Sequence, residues 1–502
     1  MGRAMGGKKI LVLVFCLLAS PAWAQTPVAA KVRRYAESHR AQIVAEYLKL
    51  LALPNIHGDA PALQRNAALL RTMMEKRGLQ TELWDTSKGV PVVFGQKRVS
   101  GATRTILFYI HYDGQPVDPK RWAQPDPFVP VVRTASIEAG GMVVTSLAGA
   151  TYPDDWRIYA RAAGDDKAPI EAILGALDAI GAPKQNVKII LDGEEEGSGP
   201  GLAEVIARFP DKLKSDLLVM LDGPQHPSGR PTIYYGARGG VALNVTVFTA
   251  KQGMHSGNYG NWMPDANVRL AQLISAMVGP NGKVAIPGFY GEVLPLSPAA
   301  RAMIDAVPDQ SAQMQKEFGV GSLDGAATSL DEGLNMPSLS VHDIKGGEVG
   351  GVIPASASAQ IEVRLVKDND PKAMLDRITA FIRAQGYFVT DKDPDVATLA
   401  THSRVAKVMR GARNGAAWRT EPGEPQAAFA TEALKAVWGD RLVRIRTFGG
   451  GVPAAPFIDA YKIPTIGISI ANYDDNQHTD NENVRIGNIF EGMISLAALM
   501  TH

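Results

Sequence analysis

Cysteine is nearly missing from this chain: Cys16 is the only one in 502 residues, and it sits in the N-terminal apolar segment. The rest of the sequence therefore offers no disulfide, no thiol nucleophile and no thiolate ligand for zinc. An excess of one charge is missing too, with 52 basic against 51 acidic residues. Such a balance gives no electrostatic reason to expect nucleic acid as a partner. The apolar run ILVLVFCLLAS is too short to span a bilayer. It follows Lys8 and Lys9 and precedes Ala22-Trp23-Ala24, an A-x-A cleavage pattern before Gln25. Residues 1–24 are thus expected to be a secretory signal, leaving a secreted, periplasmic protein with no stable membrane insertion. Bulky Phe15 before Cys16 argues against a lipidated terminus.

What is present is enough apolar residue, 45% of positions, to fill more than one core. Helical spacing in VRRYAESHRAQIVAEYLKLLAL, APALQRNAALLRTMMEKRG and KAPIEAILGALDAIG alternates with the strand-like runs TILFYI, VKIIL, DLLVML and PTIGISI. Short, almost wholly apolar strands between helices predict an α/β core, a mostly parallel sheet covered by helices on both faces. Between about Gly239 and Asp391 the order changes to βαββαβ, the ferredoxin-like α+β arrangement with an antiparallel sheet of its own. A Gly- and Pro-rich insertion, roughly residues 279–337, interrupts it. Because PTIGISI and His478 follow this block, it reads as inserted: residues 25–238 form the first part of a catalytic domain, 239–392 an inserted domain, and 393–502 the second catalytic part.

In open parallel sheets ligands bind beyond the carboxyl ends of the strands. His111 directly follows TILFYI, Asp222 follows DLLVML, and the acidic stretch Asp192 to Glu196 begins at the end of VKIIL. Asp113, two residues past His111, can accept from the free ring nitrogen and fix its tautomer. Asp165-Asp166, in ARAAGDDKAP, could cap a helix or bridge two cations, and Asp165 is the candidate bridge. Among Glu194, Glu195 and Glu196, one carboxylate can bind metal while a neighbour acts as general base, and spacing alone does not say which. His478, in NYDDNQHTDNEN, completes a set of hard oxygen and imidazole donors suited to a two-metal hydrolase.

The segments YIHYDGQP, ARAAGDDKAP, LDGEEEGSGPGL, GMHSGNYG, GKVAIPGFYGEV, VIPASASAQIEVRLV, FGGGVP and HTDNENVRI resemble, in order, those of the M20 family of metallopeptidases, in the branch of carnosinases and non-specific dipeptidases. The resemblance implies two divalent metal ions per subunit, commonly zinc with manganese or cobalt as alternatives. Asp165 would bridge them, His111 and Asp222 completing one site and Glu196 and His478 the other. An ungapped match to the family pattern puts the general base on Glu195 and the ligand on Glu196; a gapped one shifts both back, to Glu194 and Glu195. The inserted domain would be a lid through which a homodimer forms, with His255 reaching the partner's site to hold the oxyanion. Arg364 would pair with a substrate carboxylate, and Gly450 in the glycine-rich loop would border the substrate. Where the family favours glycine the chain has Ala160, Ala162 and Ala168; Gly164 and Gly451 stand where hydroxyl residues are common. The implied activity is cleavage of dipeptide-like amide bonds through a metal-bridged water and a glutamate base. An N-acyl amino-acid amidohydrolase is the alternative, and a non-catalytic peptide-binding protein the remote one.

Overall fold

The computed structural model describes residues 26–502 apart from 294, 326, 348 and 349, with the backbone alone of 412–414. The expected signal segment lies outside the described residues. Among those described, no helix is long and apolar enough to cross a membrane.

The apolar runs fold into the centre of an eight-stranded mixed sheet. Asn186–Asp192, Thr105–His111, Leu217–Met220 and Thr465–Ser469 lie side by side and parallel. From Ile106 to His111 every residue is buried, as a strand covered on both faces requires. Alternate side chains divide between two cores. Ile106, Phe108 and Ile110 pack under Pro27–Leu51, Lys167–Ile180 and Ile486–Thr501, whereas Leu107 and Tyr109 face Gly201–Arg208 and Ala455–Tyr461. Val92–Lys97 and Thr232–Tyr234 flank the parallel strands in the opposite sense, and Gln80–Trp84 and Val443–Ile445 close the edges.

A second, five-stranded sheet has the order Ser338–Gly346, Ser356–Leu365, Gly239–Phe248, Val405–Gly415, Phe388–Thr390. Ser356–Leu365 alternates partly buried and buried residues along its whole length. Its buried face meets the helices Ala266–Met277 and Pro371–Ala384 in a separate core. Two expectations need correction here. The boundary at 392 falls inside this sheet's sequence, because Val405–Gly415 pairs directly with Gly239–Phe248. The strand read from YFVTD does not neighbour Gly239–Phe248 as the split arrangement requires; it sits at the edge, parallel to Val405–Gly415. The run VAKVMRGARNG carries a charged residue at every third position and two glycines, so it lacks the apolar signature of a strand.

Thr465–Ser469 returns the chain to the middle of the first sheet, between Leu217–Met220 and Thr232–Tyr234. Gly467 makes this possible: a Cβ there would lie 1.7 Å from Tyr234 Cζ. Tyr234 is fully buried, and its hydroxyl donates to Asp222 O at 2.8 Å. Gly467→Ala must therefore displace the ring, and urea unfolding should show a loss of about 1–3 kcal/mol. An unchanged midpoint would mean that the ring does not fix this crossing.

Candidate active site

The four parallel strands deliver their following residues to one edge. His111 ends its strand in register with Asp192, Asp222 lies two residues past Leu217–Met220, and His478 lies in the loop after Thr465–Ser469. Asp165 arrives from the loop before Lys167–Ile180. Together they form two groups able to hold a cation: His111, Asp165 and Asp222, and Asp165, Glu196 and His478, with ligand atoms within 4.8 Å of one another in each. Asp165 belongs to both. Its Oδ1 lies 2.9 Å from His111 Nε2 and its Oδ2 3.0 Å from His478 Nε2, so one carboxylate turns an oxygen to each group. His478 Nε2 is also 3.1 Å from Glu196 Oε2. His478 occupies a left-handed backbone conformation, φ 60°, and its side chain is 52% exposed, leaving one flank of the cluster open to solvent.

The surroundings hold these groups in place. His111 Nδ1 faces the Asp113 backbone oxygen at 3.2 Å and the Asp113 carboxylate at 3.4 Å. Asp113 Oδ2 accepts from the Glu196 amide at 3.1 Å, so one buried carboxylate ties the histidine to the glutamate loop. Asp166 stands at the helix N-cap position but does not cap it; its Oδ2 accepts from the His111 amide at 3.2 Å. The three glutamates diverge. Glu196 meets His478 and accepts from Gln115 Nε2 at 2.8 Å. Glu195 lies where the charges of His111, Asp222, Glu196 and Asp165 all act on it. Glu194 turns away toward Thr86 and the Gly201 amide, at the start of the next helix.

Negative charge is in excess. Burial, reinforced by Asp165, pushes Asp222 up to about 7. Burial also raises Glu195 well above the carboxylate range, with Asp222, Glu196 and Asp165 adding to it against the His111 charge. Hydrogen bonds donated to Asp165 and Glu196 push His478 up to about 11. For His111, burial opposes the charged form, but the bonds to Asp113 and Asp165 outweigh it. Hard oxygen donors, imidazoles and uncompensated negative charge fit a pair of divalent ions.

Residue-by-residue reading of the sequence missed the group that fixes the shared aspartate. Glu482, fully buried, accepts from the amides of Ala162, Gly164 and Asp165, each at 2.9 Å, and from Arg161 Nη1 at 2.8 Å. It holds the loop even though Ala162 sits at φ 62°, where glycine would be unstrained. Gly164 also has a local reason: a Cβ there would lie 2.9 Å from Asp475 Oδ2. Beneath, the buried Lys167 ammonium donates to Leu50 O at 3.0 Å and Asn66 Oδ1 at 2.8 Å. The only sequence signal for Glu482 was its place in HTDNEN.

His255 and Arg364 lie outside this cluster. His255 is exposed, its Nδ1 accepting from the Gly257 amide at 3.1 Å. Arg364 pairs with Glu362 at 3.0 Å. Gly450 lies against Phe448, whose Cε1 would be 2.7 Å from a Cβ there.

Residues 107–502, which include every one of these groups, match the family model Peptidase family M20/M25/M40. The chain belongs to that family. This M20 peptidase is therefore an enzyme that hydrolyses peptide bonds. It is 26% identical over 421 residues to the human Beta-Ala-His dipeptidase, spanning 81% of this chain and 76% of that one. To the Cys-Gly metallodipeptidase dug1 of Schizosaccharomyces pombe it is 24% identical, with 80% of each chain covered. Among solved structures, the M20 family metallo-carboxypeptidase Sso-CP2 of Sulfolobus solfataricus superposes with a TM-score of 0.71 at 25% identity, covering 91% of this chain and 98% of that one.

Glu482→Gln removes the charge that Arg161 and three amides converge on. Breaking a buried pair of this kind costs about 3–5 kcal/mol. Unfolding measurements should show that loss together with reduced retention of divalent metal, and unchanged values for both would contradict the assigned role.

Proposed function

We propose that this M20 peptidase is a secreted, dinuclear metal-dependent dipeptidase whose general base is Glu195. The observation that carries the reading is the division of Asp165, one carboxylate oxygen toward His111 and the other toward His478. His111, Asp165 and Asp222 would hold one divalent ion and Asp165, Glu196 and His478 the other, zinc by the donor set, with manganese or cobalt as alternatives. When bound, the ions supply Lewis acidity at the scissile carbonyl and acidify the attacking water. Glu195 takes the proton from that water and returns it to the leaving amine. Asp113 keeps the His111 ring oriented. The position of Glu196 beside His478, with Glu194 turned to the neighbouring helix, supports this register over the shifted one.

His255 of a second subunit would hold the oxyanion, and Arg364 would face a substrate carboxylate, in a homodimer formed through the second sheet. The names of the relatives, Beta-Ala-His and Cys-Gly dipeptidases, favour a dipeptide over an N-acyl amino acid. The N-terminal lysines, apolar run and A-x-A pattern support secretion to the periplasm.

Metal-stripped protein reloaded with zinc, manganese or cobalt should cleave dipeptides in preference to acetyl or succinyl amino acids. Glu195→Gln should lower turnover by about 10²–10⁴-fold while metal content is kept. An active variant would overturn the base assignment, and activity on acyl amino acids alone would overturn the substrate class.

A further inference from the structure

Between the second sheet and the short helices Ser311–Phe318 and Leu330–Leu334 lies a cavity of about 610 Å³. That volume is within the range of small-molecule sites, about 300–1,000 Å³. Val284, Met314, Phe318, Leu330, Leu334 and Leu339 give it apolar walls. Set among them is one cation, Arg238, which is 8% exposed. Its Nη2 donates to Met336 O at 3.0 Å and Ser338 Oγ at 2.7 Å, and its Nε has no partner among the described residues. Among the described residues no carboxylate forms an ion pair with it. The other guanidinium close enough to affect it, Arg364, is itself paired with Glu362. Burial, with Arg364 adding repulsion, lowers Arg238 to about 10. A buried guanidinium that keeps its charge without a counter-ion is costly, and an anion delivered on an apolar body would remove the cost while filling the walls.

The cavity adjoins the active site through one segment. The Arg238 amide donates to Phe448 O at 3.1 Å. The Phe448 ring lies against Gly223, beside Asp222, where a Cβ would meet its Cζ at 2.3 Å. Gly449 then packs on Leu334, one of the cavity walls. Phe448 and Gly449 thus stand between the carboxylate cluster and the cavity.

We infer that this cavity binds a carboxylate carried on an apolar group, with Arg238 as the anchor for the charge. Two sources share that chemistry. One is the C-terminal residue of a peptide with a large apolar side chain, a source that rests on the peptidase reading above with Arg238 taking the carboxylate in place of Arg364; the other is a free apolar carboxylate. Calorimetric titration of the full chain with octanoate and with octanamide, its uncharged counterpart, tests the site without requiring turnover, so failure of the hydrolase reading would leave the result intact. Octanoate should bind at least about tenfold more tightly than octanamide, as a charge-assisted contact implies. Arg238→Met should abolish that preference. Phe318→Asp, at a position 66% exposed where folding is not at stake, should weaken octanoate binding by about tenfold. Absence of octanoate binding, equal affinity for the two probes, a preference that survives Arg238→Met, or wild-type affinity in Phe318→Asp would each overturn the inference. Competition by octanoate against Gly-Leu hydrolysis, raising KM at constant kcat, would assign the cavity to the substrate; inhibition that lowers kcat at constant KM would assign it to a free carboxylate.

Discussion

Asp165 is the constraint around which the rest of the site is organised. A single buried carboxylate can serve two cation groups only if its two oxygens diverge between them, and here they lie 2.9 and 3.0 Å from imidazoles of different groups. That placement requires a fixed loop, and the loop is fixed by another buried carboxylate, Glu482, which collects three of its amides and the Arg161 guanidinium. The architecture is expensive. Each charge taken out of water carries a penalty of several kcal/mol, recovered only where hydrogen bonds and opposite charges are complete. On the loop side Glu482 meets three amides and a guanidinium, whereas on the other side Asp165 faces the carboxylates of Asp222, Glu195 and Glu196. The unbalanced side is where a pair of divalent ions fits.

The sheet explains why so many ligands converge. Four parallel strands end on one edge, and three of the ligand-bearing segments begin within a few residues of those ends. This part of the site was legible in the sequence because an apolar run followed by His, Asp or a glutamate cluster marks both a buried strand and its polar exit. Asp165 was less legible. It follows no long strand, and an Asp pair before a helix can read as a cap as well as a bridge between two cations; the structure shows that Asp166 bonds the His111 amide and leaves the helix uncapped.

Other features were out of reach for physical reasons. Glu482 acts through amides more than three hundred positions away, a relation that no local spacing encodes. Val405–Gly415 takes its place in the second sheet by pairing with Gly239–Phe248, although its own composition is charged and glycine-containing. Arg238 follows no local spacing that marks a site; its lack of an ion-pair partner among the described residues is a property of the cavity around it. Packing into a shared core, by contrast, was readable wherever helices and strands kept their period, which is why the α/β core was recovered in the expected layers.

The claim most open to direct test is that Asp165 is shared. Metal content of protein reloaded with zinc and dialysed should be two ions per chain in the wild type, about one in His478→Ala, and near zero in Asp165→Asn, with all three folded by circular dichroism. Two ions retained in Asp165→Asn would contradict the account, because each group would then hold its cation without the carboxylate assigned to both.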